Sequence, residues 1–170
     1  MLDLGTGSGA VGLAIARERP DAEVDLVDAS AEALAIAGRN RARTACANAR
    51  TLLREWYAPV AGRRYAVVVS NPPYLATDDP HLADAALACE PRAALVSGPT
   101  GLEALRAVAD GAGAHLEADG WLIVEHGAAQ GAAVRGLLAR AGLDSVATRR
   151  DLAGLERATL GRRPPGRTTE

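Results

Sequence analysis

The sequence predicts a doubly wound α/β fold with a mostly parallel sheet and a closing antiparallel hairpin. Two observations carry this. Apolar runs of strand length alternate with longer helix-like stretches along most of the chain. That order gives parallel strands joined by helices. The chain also opens Met1-Leu2-Asp3-Leu4-Gly5-Thr6-Gly7-Ser8-Gly9, a short apolar strand running into a glycine-rich turn, and a second apolar strand then ends in Asp28. Asp28 stands about 20 residues past the glycines, where doubly wound nucleotide sites carry an acid for ribose hydroxyls.

The elements follow in order. A helix is expected from the glycine turn to about Arg19, then a strand over Glu23 to Asp28. Ser30 offers an N-cap and Glu32 a first-turn acid for a helix over Ala31 to about Ala45. Arg50 to Leu53 reads as a third strand and Tyr65 to Val69 as a fourth. Ala76 to Gly101 is the longest stretch expected to be irregular, with Pro80, Pro91 and Pro99. Loops of that length in compact domains tend to be functional or disordered. A helix over Gly101 to His115, a strand over Trp121 to Glu125 and a helix over Gln130 to Ala141 come next, the last stopped by Gly142. Ser145 to Arg150 and Arg157 to Leu160 are expected to pair around Ala153-Gly154. One catalytic domain over 1–163 and a disordered tail over 164–170 complete the reading, with no internal repeat.

Composition narrows the classes. The chain has 170 residues, enough for one domain with a real core. It contains no Phe, so the core must be built from Ala, Leu and Val. The net charge of −2 leaves no electrostatic footprint for unaided nucleic-acid binding. Arg149, Arg150, Arg157, Arg162, Arg163 and Arg167 crowd the C-terminal end, where a solvated surface explains them. Cys46 and Cys89 have no metal-ligand spacing and read as reduced cytosolic thiols, so no metal is expected. No signal peptide or membrane-length apolar run is present in the sequence. A cytoplasmic monomer without a membrane partner is expected.

The most informative residues are Ser70-Asn71-Pro72-Pro73-Tyr74, at the mouth of the fourth strand. The nitrogen of a planar amide or base amine is a poor nucleophile because its lone pair is delocalised. Two acceptors aimed at its hydrogens draw density onto it and favour the tetrahedral transition state of methyl transfer. The Asn71 side-chain oxygen and the Pro72 carbonyl supply them. Pro72 and Pro73 stiffen the frame, and the Tyr74 ring offers a flat face to the substrate. A strand-end turn is the plainer reading of the same residues.

The glycine loop is ambiguous alone. Gly7-Ser8-Gly9-Ala10-Val11-Gly12 satisfies the dinucleotide pattern G-x-G-x-x-G, so a nicotinamide enzyme is a competing reading. Asp3 argues against it. At the strand end it would repel a pyrophosphate but suit an amino-acid ammonium; the alternative is that it caps the next helix. An ammonium, a sulfonium and an adenosine without phosphate describe S-adenosylmethionine.

Taken together, Asp3-Leu4-Gly5-Thr6-Gly7-Ser8-Gly9, Asn71-Pro72-Pro73-Tyr74, Glu90-Pro91-Arg92-Ala93-Ala94-Leu95, Glu125-His126-Gly127 and Asp151-Leu152-Ala153-Gly154-Leu155-Glu156-Arg157 occur in family order. The chain resembles the catalytic domain of the PrmC/HemK-type protein-(glutamine-N5) methyltransferases from about Met1 to Arg163. The resemblance implies a class I S-adenosylmethionine-dependent fold. It implies methylation of the side-chain amide of the glutamine in the Gly-Gly-Gln loop of peptide-chain release factors. It implies cofactor contacts from Asp3, Gly5, Thr6, Gly7, Ser8, Gly9, Asp28 and Asn71, and substrate contacts from Asn71, Pro72, Pro73 and Tyr74. It further implies that Glu55 and Trp56 meet the adenine, the acid at its amine and the indole on its ring; many relatives carry Asp at the first position. The family's N-terminal helical domain and its Pro-Arg-Pro-Glu-like hairpin are expected to be absent from this chain, and low activity with them.

His81, His115 and His126 are not expected to be general bases, because a methylated amide loses its proton readily. His126 is expected to support the end of the fifth strand. Glu90-Pro91-Arg92 is expected to brace the long loop over the site through a charge-assisted contact. Three further readings compete with glutamine methylation: methylation of a base amine in DNA or RNA, a cofactor-binding remnant without turnover, and the nicotinamide oxidoreductase.

Overall fold

The computed structural model describes residues 1–165. The expected disordered tail lies outside the described residues from position 166 onward. The elements run β1 (Leu2–Leu4), α1 (Ala10–Glu18), β2 (Val24–Asp28), α2 (Ala31–Thr44), β3 (Ala49–Leu53), β4 (Tyr65–Ser70), α3 (Arg92–Leu95), α4 (Glu103–His115), β5 (Leu116–Glu125), α5 (Gly131–Arg140), β6 (Asp144–Arg150) and β7 (Glu156–Arg162). They build one seven-stranded sheet in the order β3-β2-β1-β4-β5-β7-β6. The first five strands are parallel, and β7 joins antiparallel to both β5 and β6. Strand order reverses between β1 and β4. The crevice above the carboxyl ends of those two strands is therefore the topological switch point, where open α/β sheets bind ligands.

The central strands are apolar on both faces because helices cover both. Val24 and Leu26 of β2 pack with Leu13 and Ala16 of α1. Leu2, Leu4 and Val27 point to the other face, where Leu105 and Val108 of α4 and Val134 and Leu138 of α5 fill the larger core. Leu, Val and Ala do most of this filling, as a chain without Phe requires. Gly12 lets α1 lie close on the sheet. A Cβ there would come 2.2 Å from Leu26 Cδ2 and 2.8 Å from Asp3 Oδ2.

At the opposite end of the sheet, Asp25 is buried and takes donors from Arg50, Arg63 and Tyr65. Arg63 Nη1 approaches at 2.9 Å and the Tyr65 hydroxyl at 2.6 Å. Burial first, then the neighbouring Asp25, pushes the Tyr65 phenol well above its usual value.

Three expectations change. The stretch 76–101 is largely organised. Asp79 and Asp84 cap two 3₁₀ turns over Pro80–Ala83 and Ala85–Leu87, and α3 follows. Leu75 and Val96 form a parallel bridge that folds the segment back onto the sheet mouth. The fifth strand starts at Leu116 instead of Trp121, because Leu116 pairs with Tyr65 before the register shifts and Glu117, Ala118 and Asp119 stand exposed. Finally, Arg149 lies exposed as expected, but most of the other C-terminal arginines are engaged. Arg150 donates to Gly154 O, Arg157 pairs with Asp151, Arg162 pairs with Asp119 and Asp144, and Arg163 donates to Leu116 O. They tie down the closing hairpin; Arg167 lies outside the described residues.

Candidate active site

β1 delivers the glycine loop to the switch point. Gly5, Gly7 and Gly9 all adopt positive φ, at 67°, 57° and 84°, a region that costs other residues about 1–2 kcal/mol. The turn this permits is pinned by the Thr6 N–H on Val27 O at 2.9 Å. It brings the Gly7 N–H within 2.8 Å of Asp28 Oδ2, while Asp28 Oδ1 accepts the Ser30 N–H at 2.9 Å. Each carboxylate oxygen keeps a further lone pair for a ligand hydroxyl.

Asp3 is buried under the loop. Its Oδ2 accepts from the Thr6 hydroxyl at 2.6 Å and from the Gly12 N–H in the first turn of α1 at 2.9 Å. An acid thus occupies one of the helix N-terminal donors that a dinucleotide site would offer to pyrophosphate. Burial pushes the Asp3 carboxyl up, against the opposing pull of the Thr6 and Gly12 hydrogen bonds. Oδ1 makes no hydrogen bond. Since no buried side-chain polar atom among the described residues lacks a partner, that oxygen keeps contact with solvent.

β3 places the next group. Leu53 pairs with Asp28, and the Arg54 N–H bonds to Asp28 O, so Glu55 and Trp56 emerge beside the acid. Trp56 has φ 45°, a conformation bulky side chains seldom hold. Its neighbour over-determines it. Tyr57 is buried, donates its hydroxyl to Val108 O at 2.8 Å and stacks on His115 at 4.4 Å.

β4 supplies the Asn71–Tyr74 segment on the other side of the switch point. The Ser70 hydroxyl bonds to Leu4 O at 2.8 Å and locks the two strand ends together. Among the described residues, no group donates to the carbonyls of Asn71, Pro72 or Pro73, and the Asn71 side chain makes no hydrogen bond. A polar frame at the sheet mouth is thus left unengaged. The segment behind it is anchored: the Leu75 N–H donates to Leu95 O at 2.9 Å and the Ser97 N–H to Leu75 O at 2.8 Å.

These pieces enclose one cavity of about 430 Å³. Gly5, Gly7, Asp28, Glu55, Trp56, Asn71 and Pro73 line it, together with Ala29, Ser30 and Ala33 from the start of α2 and Pro91, Ala93 and Ala94 from α3. Gly5 sits between the two sides; a Cβ on it would be 3.9 Å from the Trp56 ring and 4.0 Å from Asn71 O. Asp3, Thr6, Ser8 and Gly9 shape the loop from behind the lining, and Pro72 and Tyr74 stand beyond the wall at Asn71 and Pro73.

Among the described residues, no Lys, Arg or His lines the cavity, while two acids do. It therefore suits a cationic ligand with hydroxyls and a flat ring, and opposes a diphosphate. The residues present fit S-adenosylmethionine: Asp28 for a ribose and Trp56 and Glu55 for the adenine, with the buried Asp3 behind the loop adding negative charge that favours a cation.

The histidines fall outside it. His81 is exposed and paired to Asp79. His115 caps its own helix through Gly111 O. His126 is fully buried, with Nδ1 on Gly127 O at 2.9 Å and Nε2 on the Thr159 hydroxyl at 2.8 Å. Its ring fastens the end of β5 to β7, the supporting role the sequence predicts. In the Glu90-Pro91-Arg92 segment, Arg92 alone makes the charge-assisted brace, to Thr77 O at 3.1 Å. The sequence reading missed α3 as a cavity wall and Gln130, whose side chain reaches Tyr74, Gly101 and Gly127. The only sequence signal for either was position, within the long loop or just before a helix.

A sequence model of the methyltransferase small domain matches residues 1–100. The chain belongs to the methyltransferase small domain family. Among curated relatives, it is 53% identical over 162 residues to a release factor glutamine methyltransferase of Xylella fastidiosa strain Temecula1, covering 95% of this chain and 59% of that one. It is 45% identical over 165 residues to the protein of that name in Salmonella typhimurium strain LT2, covering 97% and 60%. The chain thus spans about three fifths of the length of these relatives. Among solved structures, the ribosomal protein L11 methylase of Lactobacillus delbrueckii subsp. bulgaricus matches with a TM-score of 0.67 at 20% identity, covering 95% of this chain and 69% of that one. The Thermus thermophilus 16S rRNA N2 G1207 methyltransferase, solved with AdoMet and guanosine, matches with a TM-score of 0.66 at 19% identity, covering 95% and 36%. At such identities the likeness is one of fold, that of the class I S-adenosylmethionine-dependent methyltransferases with antiparallel C-terminal strands.

Among the described residues, no helix is long and apolar enough to cross a membrane, and no cluster of three or more His, Cys, Asp or Glu could hold a metal.

Proposed function

We propose that this chain binds S-adenosylmethionine in the cavity above β1 and β4. With it, the chain methylates the side-chain amide nitrogen of the glutamine in the Gly-Gly-Gln loop of peptide-chain release factors. The observation that carries this reading is the unengaged acceptor frame at Asn71 and Pro72, set beside a cavity that, among the described residues, is lined by two acids and no bases.

S-adenosylmethionine supplies, when bound, a methyl on a sulfonium sulfur, which departs as the neutral thioether of S-adenosylhomocysteine. The chain's own residues do the rest. Asn71 Oδ1 and the Pro72 carbonyl accept the two amide hydrogens and hold the nitrogen with its lone pair aimed at the methyl. Their negative ends favour the positive charge that develops on nitrogen as the new N–C bond forms. The surplus proton then leaves to water; among the described residues, no basic side chain lines the cavity to take it. Asp28 holds the ribose, and Trp56 and Glu55 the adenine. On this reading the protein works in the cytoplasm as a monomer.

A base amine of RNA or DNA would fit the same acceptor frame. The net charge of −2 and the acid-lined cavity disfavour a polyanionic substrate. Relatives named as release factor glutamine methyltransferases favour the protein substrate. A competition assay discriminates the two. With a glutamine peptide and a single-stranded oligonucleotide offered together, labelled methyl should appear on the peptide.

A further inference from the structure

We propose that Gln130 is the positioning residue of the acceptor frame, a clamp that sets the angle of Asn71 and Pro72 without touching substrate. The proposal rests on the glutamine-methylation reading above for its kinetic test, and on geometry alone for its structural one.

Gln130 sits just before α5, and its side-chain amide meets three separate segments. Oε1 accepts the Gly127 N–H at 2.9 Å, at the end of β5. Nε2 donates to Tyr74 O at 2.9 Å and to Gly101 O at 3.3 Å, just before α4. The amide orientation follows from its partners. A backbone N–H only donates and two carbonyls only accept, so the oxygen must face Gly127 and the nitrogen the other two. All of its polar groups are thereby used.

The surroundings are cut to admit this side chain. A Cβ at residue 101 would stand 2.5 Å from Tyr74 O and 3.1 Å from Gln130 Nε2. One at residue 127 would stand 3.1 Å from Gln130 Oε1 and 3.6 Å from the Tyr74 ring. Both positions are glycine. Behind the clamp, Arg135 donates to the Thr148 hydroxyl at 2.7 Å, Thr148 and Thr159 share a bond of 2.9 Å, and Thr159 meets His126, whose ring holds Gly127.

The consequence for the frame is specific. Tyr74 O is engaged while the Pro72 carbonyl is not. The clamp therefore fixes the far end of Asn71-Pro72-Pro73-Tyr74 and leaves the carbonyls of Asn71 and Pro72 without a donor. Two successive prolines have φ locked and transmit that anchor to Asn71 with little play. Gln130 itself does not line the cavity. Its loss should degrade transfer without degrading cofactor binding.

The test uses Gln130→Glu and Gln130→Ala in the full chain. Glu keeps the size and the acceptor for Gly127 but turns a carboxylate toward two carbonyls. Single-turnover methylation of a Gly-Gly-Gln peptide should fall on the order of 10²-fold in both variants, the scale of an ångström-level misplacement. S-adenosylmethionine affinity should stay close to the parent's. In Gln130→Glu, relative to the parent at each pH, the deficit should shrink as acid protonates the introduced carboxyl and restores a donor; in Gln130→Ala it should not. Backbone hydrogen exchange at Leu75 and Ser97, whose N–H groups bond to Leu95 O and Leu75 O, should quicken in both variants, whatever the chain's activity. Parent-like rates, or a rate loss matched by loss of cofactor affinity, would overturn the clamp. If the parent methylates no glutamine peptide, the functional reading fails, and unchanged exchange at Leu75 and Ser97 would still overturn the clamp.

Discussion

Asp28 and Gly7 are joined by a 2.8 Å hydrogen bond from the Gly7 N–H to Asp28 Oδ2. The acid after β2 and the glycine loop after β1 are therefore one preorganised unit across the cavity floor. Asp28→Ala should weaken S-adenosylmethionine binding by about 1–3 kcal/mol, the range for hydrogen bonds to a charged group. Titration calorimetry reads this directly. Parent-like affinity would remove Asp28 from the cofactor site.

Asp3 carries a cost that a bound cation can offset. Burial raises its pKa above the ordinary 3.8, so the folded state holds the proton more tightly than the unfolded state. The contribution of Asp3 to stability is then complete below pH 3.8 and is lost as pH rises through the raised folded value. Asp3→Asn keeps an acceptor for Thr6 and Gly12 and removes the charge. Its stability should match the parent's in acid and exceed it near neutrality, while its cofactor affinity falls. Denaturant melts across pH, paired with calorimetry, check both halves. Lower stability with unchanged affinity would make Asp3 a loop brace only.

Asn71→Ala removes one acceptor of the frame. The single-turnover rate should drop on the order of 10²–10³-fold, by analogy with loss of one preorganised oxyanion-hole donor. Rapid-quench measurement at saturating cofactor and peptide isolates this step. A parent-like rate would reduce Asn71 to a turn residue.

Thr159 bridges the Thr148 hydroxyl and the His126 ring inside the sheet. Thr159→Val keeps the shape and leaves His126 Nε2 buried without a partner. Unfolding in denaturant should show a loss of about 1–3 kcal/mol. An unchanged midpoint would mean that the hydroxyl chain contributes nothing to holding β5 on β7.

Much of this site is readable in the chain. The strand, glycine turn and helix at residues 1–19, Asp28 after the second strand and Asn71 after the fourth are local patterns, and the sheet order brings them to one crevice. Ser30 accepts the Ala33 N–H, as its position before α2 suggests. The clamp is illegible for a physical reason. Gln130 and Tyr74 lie 56 residues apart, and the bond runs to a backbone carbonyl that carries no residue identity. The α3 wall is hidden likewise, since Pro91, Ala93 and Ala94 face the cavity only after Leu75 bridges Val96. The early start of β5 depends on pairing with Tyr65 across a bulge, a register that no periodicity within 116–120 announces.

The most direct test of the account is mass spectrometry of a bacterial release factor incubated with this chain and S-adenosylmethionine carrying a labelled methyl. The account predicts one labelled methyl on the side-chain nitrogen of the Gly-Gly-Gln glutamine, lost in Asn71→Ala. Label on a nucleic-acid base amine instead, or an unmodified glutamine while calorimetry shows the cofactor bound, would contradict it.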